Sequence, residues 1–122
     1  MSLAKKWIPE YRVPDGPSML RTGYQLEPGT SDYPSGGYPI KASDVDLVRL
    51  YGARVLAMND AADAYLVQFD FASGAFADPP VPQTTIYMTV KIPVISGLGH
   101  FVEVSAVTDL SGCYWWVEFV GW

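Results

Sequence analysis

The chain has 122 residues, 49% hydrophobic and 17% charged, with a formal net charge of −5. That length and balance give one globular domain able to bury a core without staples. Five basic and four acidic side chains fall in residues 1–41, against three and nine in residues 42–122. So acidic a body offers no electrostatic footprint for phosphate backbones, and nucleic acid is not an expected partner.

One cysteine, Cys113, rules out an intramolecular disulfide and suits a reducing compartment. The start, Met1-Ser-Leu-Ala-Lys-Lys-Trp7, carries charge with no apolar run behind it, so no secretory signal is expected. No stretch approaches the length of a membrane-spanning helix.

Residues 1–39 hold six of the ten prolines (Pro9, Pro14, Pro17, Pro28, Pro34, Pro39) together with five glycines. Proline removes a backbone donor and fixes φ, so neither a long helix nor a central strand is expected there. Trp7, Ile8, Tyr11, Tyr24, Tyr33 and Tyr38 punctuate the stretch, as in a segment that buries side chains one at a time against something else. The expected organisation is therefore an extended N-terminal arm, 1–39, followed by a β domain, 40–122.

Ala42 to Tyr51 reads as a short helix capped by Ser43, with Asp44 and Asp46 in its first turn, or as extended chain. Ala53–Met58 and Ala64–Phe71 read as two strands joined by 59–63. Pairing Met58 with Ala64 sets Val55 opposite Val67 and Ala57 opposite Tyr65. Ser73 to Gln83 is a loop. Thr84 to Val94 is the clearest strand, with Ile86, Met88, Val90 and Ile92 on one face and Pro93 suited to a strand end. Ser96-Gly-Leu-Gly99 turns the chain.

Phe101–Thr108 and Cys113–Val120 alternate on either side of Asp109-Leu-Ser-Gly112, the pattern of a β-hairpin. Its register sets Val102 against Phe119, Val104 against Val117 and Ala106 against Trp115. A one-residue slip would put Val104 against Glu118, which burial penalises. These strands predict an all-β fold, an antiparallel β-sandwich or small barrel carrying the arm.

The same register brings Glu103 opposite Glu118 on the outward face. Two carboxylates so placed suit a glycosidase acid and base or a metal pair; the simpler reading is a solvated pair with Lys91 neutralising one of them. His100, the only histidine, has no nucleophile elbow near it, and Gly97-Leu-Gly99 lacks the Lys-Ser/Thr of a phosphate loop. Cys113 faces the core as a small hydrophobe. No catalytic, metal or cofactor set is expected. Tyr114, Trp116 and Trp122 share the outward face of the last strand, where large apolar groups are rarely left bare.

A short acidic β domain with a single cysteine, no export signal and an aromatic-studded proline-rich arm resembles the virion structural proteins of tailed bacteriophages, most closely the decoration or cement type. The resemblance is one of organisation over the whole chain and carries no residue-level motif. It implies a non-enzymatic protein, made in the host cytoplasm and not secreted, that stabilises the head by binding the major capsid protein and copies of itself. Another minor head–tail component has the same organisation. The expected interface is Lys5, Lys6, Trp7, Ile8, Tyr11, Tyr24, Tyr33 and Tyr38 on the arm, with Trp116 and Trp122 on the body. A carbohydrate-binding β module, stacking sugars on Tyr114, Trp116 and Trp122, is the alternative.

Overall fold

Runs rich in β-branched and aromatic residues become strands where one face can be buried. Eight such strands form in the computed structural model, which describes residues 2–14, 16–71, 81–93 and 101–122. They are β1 (Leu3–Pro14), β2 (Leu20–Pro28), β3 (Tyr38–Lys41), β4 (Leu50–Met58), β5 (Leu66–Phe71), β6 (Thr85–Pro93), β7 (Phe101–Glu103) and β8 (Trp115–Gly121). Short 3-10 turns occupy Ala42–Val45 and Asp60–Ala64. Sheet A has the order β1-β2-β8-β4; sheet B has the order β3-β6-β5, with β7 also on β6. Every pairing is antiparallel. The expected all-β fold forms as two sheets packed into a sandwich. Leu26, Trp115, Val117 and Phe119 of sheet A meet Ile40, Ile86, Met88 and Val90 of sheet B in its core, each with at most 1% of its surface exposed. Phe69 of β5 packs edge-on against Phe119 across the gap, with ring centroids 6.2 Å apart.

The N-terminal arm is not an arm. Residues 3–28 supply half of sheet A, and β2 is an internal strand between β1 and β8. Proline density misled because its placement matters more than its number. No proline lies between Leu20 and Glu27, the stretch that needs donors on both sides. Pro9 falls where the register of edge strand β1 shifts, between Trp7 and Arg12; Pro14 and Pro28 end their strands; Pro39 sits on the short strand β3. Those are the positions where a missing N–H costs least.

Both hairpins expected from sequence are instead arches between the sheets. β4 lies in sheet A and β5 in sheet B; β7 lies in sheet B and β8 in sheet A. Val55 thus pairs with Val117, not Val67, and Val67 pairs with Val90. Alternation and turn residues look alike whether a chain doubles back in its own sheet or crosses to the facing one, about 10 Å away. The second crossing uses its apolar residues as plugs. Val104 and Leu110 are buried, and Val104 N–H donates to Val90 C=O at 2.9 Å. Val107 takes φ = 59° as the chain turns, and its N–H donates to Tyr33 C=O. The Asp109 carboxylate then accepts from the backbone and hydroxyl of Ser111.

The strand expected at 84–94 is β6, internal to sheet B, with Ile86, Met88 and Val90 in the core. The helical reading of 42–51 shrinks to one 3-10 turn. Its cap is Lys41, whose N–H donates to Asp44 Oδ2 at 3.0 Å, so Ser43 is not the cap. The turn anchors β2: Thr22, fully buried, donates its hydroxyl to Val45 C=O at 2.9 Å. The loop expected at 73–83 falls mostly outside the described residues. The glycine-rich turn at 96–99 and His100 fall wholly outside them.

Candidate functional site

Because side chains alternate across a strand, the register of sheet A fixes what shares its outer face. The first row across the sheet runs Ala4, Glu27, Tyr114 and Asn59, with Asn59 N–H donating to Tyr114 C=O. The second runs Lys6, Gln25, Trp116 and Ala57. The third has Gly23, Glu118 and Arg54, and the fourth Val13, Arg21, Val120 and Gly52. Rows along a strand are about 6.8 Å apart and strands about 4.8 Å.

Glu118 anchors this face. It points away from the core yet has only 3% of its surface exposed. Tyr11, from the irregular middle of β1, donates its hydroxyl to Oε2, and Arg54 Nε donates to Oε1 at 3.0 Å. Arg21 approaches within 3.6 Å. Burial opposes ionisation, but the Tyr11 bond and the two guanidiniums outweigh it and hold the carboxyl below its ordinary value. The Tyr11 phenol, bonded to a carboxylate and partly buried, is pushed up. Gly23 makes the cover possible: a Cβ there would lie 2.5 Å from Cγ of the Tyr11 ring.

Beside this clamp lies a shallow cleft of about 270 Å³, lined by Gln25, Ala57, Met58, Asn59, Tyr114 and Trp116. Trp116 donates its indole N–H to Gln25 Oε1 at 2.7 Å, which turns the ring across the sheet towards β2. Even so, 46% of its surface stays open. Asn59 is used structurally: Oδ1 accepts from Ala62 and Tyr114 N–H, and Nδ2 donates to Gly112 C=O. Lys6 caps the far edge on Glu27, whose hydrogen bond and charge raise the ammonium's pKa and keep it cationic.

At the opposite end the face is apolar. Tyr51 and Trp122 rings lie 5.1 Å apart, and with Ser18 and Met19 they line a second hollow. Val13 and Val48 are exposed as well; the Val48 N–H donates to Trp122 C=O, while its side chain lines a separate hollow with Lys41, Ser43, Leu47 and Thr84.

The expected interface residues divide. Trp7, Trp116 and Trp122 are exposed, Lys6 projects, and Ile8 is half-buried. Lys5 pairs with Asp44, and Tyr11 is spent on Glu118. Tyr24, Tyr33 and Tyr38 are core residues and offer no interface, because their rings are buried between the sheets. Tyr33 and Tyr38 meet edge-on at 5.5 Å; Tyr33 Oη accepts from Val90 N–H, and Tyr38 donates to Asp32 at 2.7 Å. The carboxylate pair dissolves too. Glu103 lies on sheet B opposite Lys91, and its Oε1 accepts from Gly36 N–H. Cys113 is buried as expected, and burial followed by the charge of Asp109 pushes its thiol up.

Gln25, Arg21, Arg54, Met58 and Tyr51 were not foreseen. Gln25 and Arg21 lay in a stretch read as unpaired, and only the true β2–β8 register puts them beside Trp116 and Glu118. Among the described residues no group of three or more His, Cys, Asp or Glu is placed to hold a metal. No protein-family model, curated protein or solved structure matches the chain.

Proposed function

We propose that the chain is a non-enzymatic structural component of a virion, of the capsid-decoration kind. It would be made in the host cytoplasm and bind the major capsid protein and copies of itself. The observation that carries this reading is the apolar end of sheet A, where Met19, Tyr51 and Trp122 line one open hollow. Tyr51 and Trp122 keep 47% and 39% of their surface open, and Val13 is exposed on the edge strand β1. A monomer rarely leaves so many large apolar groups together, whereas an interface core is built from them. Contact with a shell replaces the arm as the means of attachment, since residues 3–28 are committed to sheet A.

The test is co-sedimentation of the purified chain with empty shells of the capsid protein encoded beside it, alongside its mass in solution by light scattering. The wild-type chain is expected to pellet with shells. The double variant Tyr51→Ser, Trp122→Ser is expected to keep its thermal transition and lose pelleting. A chain that stays monomeric and never pellets overturns the proposal.

A further inference from the structure

The Trp116 cleft has a different character from the apolar end, and its chemistry can be read from which groups are already used. The side-chain amide oxygens that line it are both occupied. Gln25 Oε1 takes the Trp116 indole N–H, Asn59 Oδ1 takes two backbone N–H groups, and Glu118 takes Tyr11 and Arg54. Glu27 takes Lys6. What remains are donors. Neither the Gln25 amide N–H groups nor the Tyr114 hydroxyl makes a side-chain hydrogen bond among the described residues, and the Tyr114 phenol lies within electrostatic reach of Lys6. The cations stand above their carboxylates: Lys6 and Arg54 side chains are 67% and 65% exposed, Glu27 and Glu118 only 15% and 4%. A chain of net charge −5 thus presents donors, with the Lys6 ammonium uppermost on one side, around an aromatic ring held in place from one edge.

A ligand that fits must be flat and apolar on one face, rich in acceptors at its rim, and anionic. We propose that this cleft binds an acidic saccharide, a pyranose stacked on Trp116 with its carboxylate towards Lys6. The C–H face of a pyranose lies on the open indole, and Gln25 Nε2 and the Tyr114 hydroxyl reach its ring substituents. Two strands, about 10 Å of sheet, separate the Lys6 and Trp116 backbones, a span that one sugar ring and the lysine side chain bridge together. Asp60 and Asp63 follow Asn59 on the other side, so the carboxylate has one favourable direction. A single-stranded nucleic acid also combines flat rings with negative charge, but it needs a cationic track along its backbone. The cations of this face, Lys6, Arg21 and Arg54, each stand at a carboxylate and form no such track. The proposal stands apart from the assembly reading, which rests on the other end of the sheet.

The test titrates the full chain, by calorimetry and tryptophan fluorescence, with a galacturonate hexamer, a mannuronate hexamer, a neutral galactose hexamer, a ten-residue oligothymidylate and a glutamate decapeptide. At least one acidic hexamer is expected to bind about tenfold more tightly than the neutral one. Trp116→Ala is expected to lose that binding at least about tenfold with an unchanged melting curve, and Tyr51→Ser, Trp122→Ser to retain it. Lys6→Gln should weaken it several-fold at low salt and hardly at all at high salt. Failure of both acidic hexamers, equal binding of the neutral one, tighter binding of the oligothymidylate or the decapeptide, or indifference to Trp116→Ala overturns the proposal.

Discussion

The outer faces of the two sheets are built to different ends. On sheet B the central polar groups are joined in sequence. Lys91 donates to Gln68 Oε1, Gln68 Nε2 to Asp70 Oδ1, and Thr89 Oγ1 to Asp70 Oδ2, all within 2.9 Å. Leu66 and Phe101 stand exposed at one end of this face. On sheet A one carboxylate is clamped in the middle, and on either side of it aromatic surface lies open. Polar chemistry on sheet B is spent within the molecule. On sheet A a single clamp holds the face rigid while its flanks stay available. Stability and recognition are therefore separable residue by residue.

The severest way to break this contrast is to remove what covers Glu118. Deleting residues 2–12 takes away most of β1, turns β2 into an edge and strips Tyr11 from the clamp. The loss is expected to approach the whole stability of a domain this size, roughly 5–15 kcal/mol. Circular dichroism and urea titration should find no cooperative fold; a folded truncation would restore the arm.

Next in size, Glu118→Ala leaves Tyr11, Arg54 and Arg21 without their shared acceptor and should cost about 1–3 kcal/mol in urea midpoints. Arg54 is mostly solvated, which keeps the figure below that of a fully buried pair.

Acid sharpens the same point. The Glu118 carboxyl is held below its ordinary value, so its stabilisation is complete above the unfolded carboxylate range and is lost as pH falls through the depressed folded value. Glu118→Gln should be less stable than wild type near neutrality, and the difference should shrink as pH drops through that window. Asp32 and Asp109, whose carboxyls are also held low, titrate equally in both proteins and cancel in the comparison. A difference independent of pH would contradict the clamp.

On sheet B, Thr89→Val removes the donor to Asp70 and should cost about 1 kcal/mol with no effect on shell or saccharide binding. The smallest effect is Lys91→Ala, an exposed contact worth less than about 0.5 kcal/mol.

The strand faces were legible in the sequence; the partners of the strands were not. Alternation from Cys113 to Val120 sorted Trp115, Val117 and Phe119 inward and Tyr114 and Trp116 outward, as found. It does so because burial acts on each residue locally. Pairing depends on chain crossing between sheets, and nothing in Asn59–Asp63 or Asp109–Gly112 distinguishes an arch from a hairpin. Glu118 shows the limit well. Its outward position could be read from its parity, but its burial depends on Tyr11, 107 residues away in sequence. Gly23 was the available signal, a glycine inside an otherwise proline-free run, where another group lies against the backbone.

The place of β8 has a consequence for how the molecule comes into being. It is the last strand in chain order and an internal strand of sheet A, pairing Leu20 of β2 and Leu50 of β4 with the same Gly121. On a ribosome, β1, β2 and β4 emerge long before the strand that joins them, so sheet A closes only after residue 121 has been made. Until then the inward edges of β2 and β4 offer open hydrogen-bonding rows to any neighbouring chain. Such non-local closure folds slowly. Synthesis rate and nascent-chain crowding, rather than the finished protein's stability, are then expected to govern how much of it reaches the soluble fraction.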